Sequence, residues 1–149
     1  MSNLTVPEEA EHVDKDVQMD ELLKYHIIEN VQDTGLRVGL FGLAEKEWVD
    51  MMPLAVNVPC TYEDYIECSR RMTHFLKTDK SCDVIIALTH MRLPNDRELA
   101  EKVPGIDLIL GGHDHQSISE MNKDTGIPLV KSGTDFEEFS DLTFYLGVS

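Results

Sequence analysis

Apolar residues in this chain fall into short continuous runs and longer periodic stretches. Val84-Ile85-Ile86-Ala87-Leu88 and Ile106-Asp107-Leu108-Ile109-Leu110 are nearly unbroken, partly β-branched and too short for helices. Such runs read as strands of a parallel sheet buried on both faces. Between them Asn95, with Glu98 three residues on, predicts a capped helix that Pro104-Gly105 stops. Strand, helix and strand make a βαβ unit with a right-handed crossover. Upstream, Tyr25–Glu29 and Leu36–Gly42 flank the turn Gln32-Asp33-Thr34-Gly35 and predict a β-hairpin. Tyr62, Tyr65, Ile66, Ser69, Met72 and Leu76 recur at helical spacing, with Thr61 as the expected cap and an end near Lys77. Glu45–Val49 reads as a helical turn. Downstream, Ser117–Ser119, Ile127–Lys131 and Phe139–Leu146 read as strands, making a β-rich, antiparallel tail. The expected class is α/β, with a parallel βαβ core. Residues 1–149 form one domain, and residues 1–23 are an acidic, loop-like lead-in.

Composition narrows the function. The chain of 149 residues, 42% hydrophobic, is long enough for one real core. A net charge of −15 argues against a nucleic-acid polymer or an anionic membrane as partner. It leaves room for a phosphorylated small molecule, because bound cations reverse a local field. Cys60, Cys68 and Cys82 show no paired spacing and read as reduced packing residues, so a cytoplasmic location is expected. No run is long and apolar enough to span a bilayer, and no secretory signal opens the sequence.

The candidate chemistry lies just beyond the two apolar runs. Thr89-His90 follows the first; Gly111-Gly112-His113-Asp114-His115 follows the second. Parallel neighbours put both carboxyl ends at one sheet edge, where open α/β folds bind ligands. The two glycines permit a tight turn and close approach. His113 and His115, two apart, would share a side of an extended segment. A single histidine after a strand is ordinarily structural. Three converging on one edge point to a metal site, because imidazole is the commonest ligand for transition metals. His12, His26 and His74 read as surface residues, and Trp48 as a loop anchor.

Asp83 to His115 resembles the calcineurin-like metallophosphoesterases, and within them the 5′-nucleotidase-type branch. The family's lone histidine after a strand stands here as Thr89-His90-Met91, and its Gly-His-x-His as Gly112-His113-Asp114-His115. Asn95-Asp96 and Val103-Pro104-Gly105-Ile106-Asp107 are also similar to that branch, as are Leu36–Leu43 and Val130–Asp135, more weakly. The resemblance implies a four-layer αββα domain. It also implies two divalent metal ions, with manganese, zinc or iron favoured, and a bridging hydroxide that attacks phosphorus. It assigns His90 and His113 to one metal and His115 to the other, and gives Asp114 no role.

The family's earlier motifs, Asp-x-His, Gly-Asp-x-x-Asp and Gly-Asn-His-Asp/Glu, do not occur in this sequence. The expectation is therefore the second half of a catalytic domain, inactive alone, with a homodimer covering its open strand faces or a partner chain supplying the missing half. The alternative is a degenerate, non-catalytic binding or scaffold module. A third reading is a single zinc held by three histidines.

Overall fold

A computed structural model describes residues 1–5, 23–51, 60–143 and 145. Eight strands and three α-helices alternate along them: β1 (Leu4–Thr5), β2 (His26–Ile28), β3 (Val38–Ala44), α1 (Lys46–Met51), β4 (Thr61–Tyr62), α2 (Tyr65–Thr78), β5 (Val84–His90), α3 (Leu93–Lys102), β6 (Leu108–Gly111), β7 (Ser117–Met121) and β8 (Pro128–Ser132). Six of the strands form one sheet in the order β2-β3-β5-β6-β8-β7. Its four central strands are parallel, and β2 and β7 are antiparallel edges. The α/β class, the hairpin at β2–β3 and the βαβ unit thus stand as expected. The tail is mixed, because β7 pairs antiparallel with β8 while β8 runs parallel to β6.

The order β3-β5-β6 advances in one direction, so right-handed crossovers set α2 and α3 on the same face of the sheet. That face holds the core: Phe41, Leu43, Ile85, Ala87, Ile109 and Leu129 meet Met72, Leu76, Leu99 and Ala100 of the helices. The reading of β5 as buried on both faces needs correction. Ile85, Ala87 and Thr89 are buried, whereas Val84, Ile86 and His90 are half-buried and Leu88 is 40% exposed. The run is continuous in sequence because both faces are apolar, but helices cover only one. Of the implied four layers, the described residues supply one helix layer and one six-stranded sheet, beside the two-stranded pair β1-β4.

Several local signals were outweighed by tertiary partners. Asp64, not Thr61, caps α2, accepting from the Ile66 and Glu67 amides, and Thr61 lies in β4. Helix α3 begins at Leu93 with Arg92 as its cap, three residues before Asn95, and Pro94 fits its first turn. Within the lead-in, Leu4–Thr5 form a short strand rather than loop. Asn3 is 1% exposed and exchanges hydrogen bonds with Ala44, donating from Nδ2 to the carbonyl (2.7 Å) and accepting the amide at Oδ1 (3.1 Å), while β1 pairs with β4. The expected strand at Phe139–Leu146 is absent from its described part, residues 139–143 and 145. His12 lies outside the described residues. His26 and His74 are exposed, as expected. Asp83 and Asp107 sit at the amino ends of strands, accepting the Arg37 and Ile85 amides (2.8 and 2.7 Å).

Candidate metal centre

The ladders of the parallel sheet dictate which residues share its carboxyl edge. Ala44 pairs with His90, Thr89 with Gly111 and Gly111 with Lys131. Glu45, His90 and the Gly112–His115 turn therefore emerge side by side. His113 Nδ1 lies 3.1 Å from His90 Nε2, with the rings edge to face and their centroids 4.9 Å apart. Two of the three candidate histidines thus meet. His115 is exposed.

The turn that carries them is not the extended segment expected. His113 (φ 79) and His115 (φ 55) both adopt the left-handed conformation, which histidine enters more readily than most residues. The same-side argument for the pair therefore fails. Gly111 and Gly112 do not supply the left-handed turn. Gly111 is needed for space: a Cβ there would meet Lys131 Cε at 2.9 Å and Asp96 Oδ2 at 3.1 Å.

Three side chains unassigned by sequence surround the histidines. Glu45 is 1% exposed and accepts from the Arg92 amide (3.0 Å), Arg92 Nε (2.8 Å) and Asn95 Nδ2 (2.6 Å). Burial pushes its carboxyl up, but the hydrogen bonds from Arg92 and Asn95 outweigh that and hold it below the ordinary carboxylate range. Glu45 Oε1 also lies 3.7 Å from His113 Nε2, too far for a hydrogen bond. Trp48, expected only to anchor a loop, packs on His90 with ring centroids 4.6 Å apart. Lys131 lies beneath both histidine loops, 2% exposed, paired with Asp96 and Asp114. Burial, His113 and Lys131 together push the His90 pKa down, keeping the imidazole neutral as ligation requires. An open groove of about 380 Å³ beside His90 is lined by Met1, Gly42, Leu88 and Leu110.

Glu45 and Lys131 had one sequence signal each: an acid directly after the strand beside β5, and a lone charge in an apolar strand. The donor set fits a divalent transition metal. Two ligands at about 2.0–2.1 Å from one ion stand roughly 3 Å apart, and the two imidazole nitrogens stand 3.1 Å apart. Among the described residues no group of three or more His, Cys, Asp or Glu side chains is disposed to hold a metal, so the three-histidine zinc site is not assembled.

The calcineurin-like phosphoesterase profile matches residues 19–117, two thirds of the sequence. The chain belongs to the calcineurin-like phosphoesterases. A similar protein is the trifunctional nucleotide phosphoesterase YfkN of Bacillus subtilis, 33% identical over 87 residues, 58% of this chain and 6% of that protein. A 5′-nucleotidase of Diplobatis ommata is 29% identical over 97 residues, 64% of this chain and 16% of its own length. This phosphoesterase chain therefore spans a small part of these relatives. Among solved structures, the calcineurin-like phosphoesterase YfkN of Bacillus subtilis superposes with a TM-score of 0.66 at 20% identity, over 89% of this chain and 45% of that one. The 5′-nucleotidase precursor of Thermus thermophilus gives 0.66 at 19%, over 89% and 27%. These likenesses support the mixed α/β fold. No helix among the described residues is long and apolar enough to cross a membrane.

Proposed function

We propose that this chain contributes the histidine edge of a metal-dependent phosphoester hydrolase centre of the 5′-nucleotidase type. The observation that carries the reading is the meeting of His113 Nδ1 and His90 Nε2 at 3.1 Å, on the edge where parallel strands end. A divalent ion bound there would supply positive charge to phosphoryl oxygens and acidify water. The chain's own residues do the rest of the positioning. His90 and His113 are the proposed ligands of one ion, and His115 of a second. Trp48 packs on one face of His90, and the buried Glu45 carboxylate lies beside His113.

The substrate class is a phosphorylated small molecule, nucleotide-like by the relatives' printed activities. The missing Asp-x-His, Gly-Asp-x-x-Asp and Gly-Asn-His motifs would have to come from elsewhere, so the chain alone is expected to lack turnover. Trp48 is the sole tryptophan and a direct reporter. Titrating cobalt(II) should quench its fluorescence saturably in wild type, and weakly or not at all in His90→Ala and His113→Ala. Equal quenching in all three proteins refutes the site. Hydrolysis of p-nitrophenyl phosphate by this chain with manganese, abolished by His113→Ala, refutes the expected inactivity.

A further inference from the structure

The Lys131 ammonium has three protons, and the structure accounts for each. They go to Met91 O (2.8 Å), Gly112 O (2.8 Å) and Asp114 Oδ2 (2.7 Å). Asp96 Oδ2 also lies 2.8 Å from Nζ, a fourth acceptor around the three protons. Its carboxylate balances the buried charge, and its Oδ1 accepts from Thr89 Oγ1 (2.6 Å). With every proton engaged and the side chain buried, Lys131 has none to offer a substrate phosphate.

What the ammonium holds is specific. Met91 follows His90, Gly112 precedes His113, and Asp114 stands between His113 and His115. One cation in β8 therefore grips both histidine-bearing segments. Asp114 Oδ2 also accepts the Leu93 amide at 2.6 Å, at the first residue of α3 and the positive end of that helix. Left-handed residues such as His113 and His115 carry backbone strain and persist where their surroundings over-determine them. The Lys131 and Leu93 contacts to Asp114 provide that constraint.

We propose that Asp114 and Lys131 are positioning residues for the histidine pair. The buried ammonium and the Asp114 carboxylate lock the strained turn so that His113 Nδ1 faces His90 Nε2. Only its consequence for metal affinity rests on the reading of the pair as a metal site.

The test uses the full chain, first without metal. In wild type, long-range proton–nitrogen NMR of the imidazoles should show a hydrogen-bond coupling between His113 Nδ1 and His90 Nε2. In Asp114→Ala that coupling is lost while the circular dichroism spectrum is retained, because Asp96 still balances Lys131. Asp114→Asn, which keeps an oxygen for Nζ and for the Leu93 amide, restores it. If the alanine variant does not hold its fold, Asp114→Ser carries the same expectation, because its side chain is too short to reach Nζ. Cobalt affinity, read from Trp48, should fall about 10- to 100-fold in Asp114→Ala and recover in Asp114→Asn. A coupling that persists unchanged in Asp114→Ala overturns the proposal. If wild type takes up no cobalt but shows the coupling, and Asp114→Ala loses it, the metal reading fails and the positioning role stands.

Discussion

Replacing Gly111 by alanine should destabilise the protein far more than the same change one residue later. An alanine Cβ at 111 would lie 2.9 Å from Lys131 Cε, and 3.1 Å from both Asp96 Oδ2 and Lys131 Cγ. Carbon contacts are favourable at about 3.5–4.0 Å, so something must move. Lys131 cannot retreat without leaving Met91 O, Gly112 O or the Asp114 carboxylate. Overpacking costs about 1–3 kcal/mol, and loosening one hydrogen bond to a buried charge adds about 1.5–3 kcal/mol. The stiffer unfolded chain returns about 0.4–1 kcal/mol. The net expectation is a loss of roughly 1.5–5.5 kcal/mol. At Gly112 the nearest atoms to an added Cβ are His90 Nδ1 at 3.6 Å and Thr89 O at 3.7 Å, which is ordinary contact. Gly112→Ala should therefore stay within about 0.5 kcal/mol of wild type or gain slightly. Urea unfolding followed by far-ultraviolet circular dichroism measures both. Gly111→Ala as stable as wild type, or Gly112→Ala equally damaged, refutes the reasoning.

Further expectations concern the sheet and the surface charges. Ile85→Ala, on the helix-covered face at 0% exposure, should lose about 2–5 kcal/mol. Leu88→Lys, on the open face at 40% exposure, should change stability by less than about 1 kcal/mol, and equal losses in urea would contradict the one-sided core. Hydrogen bonds from Arg71, Lys102 and Arg97 hold Glu63, Glu98 and Glu120 below the ordinary carboxylate range. Each then stabilises the fold above the unfolded carboxylate pKa of about 4.3, and loses that contribution as pH falls through the lower folded value. The melting temperature should decline from pH 5 to pH 3, modestly because these pairs face solvent, and a flat profile would contradict the assignment.

The parts of the fold set by neighbours in sequence were legible. The runs around Ile85 and Ile109 and the Met72–Leu76 stripe needed only local pattern to place β5, β6 and α2. The meeting of His90 with His113 followed from parallel pairing alone. Features depending on distant partners were not legible. Asn95 and Glu98 looked like a capping box, but Asp114, 21 residues from Leu93, provides the carboxylate at that helix start. Asn95 instead reaches Glu45, 50 residues away. The role of Lys131 was not legible because its partners lie 17, 19 and 40 residues back. His115 was misplaced because left-handed geometry at His113 breaks the two-residue alternation assumed for it.

The pairing of Gly111 with Lys131 has a consequence for how the sheet closes. Side chains of a strand alternate between faces, so a slip of β8 by one residue would turn the cation outward and present Val130 or Ser132 to two carboxylates stranded beneath the helices. Such a slipped arrangement would leave Asp96 uncompensated inside the protein, a penalty of several kcal/mol that the correct alignment avoids. A single lysine thereby acts as an alignment key, discriminating against misassembled sheets that an all-aliphatic strand would tolerate.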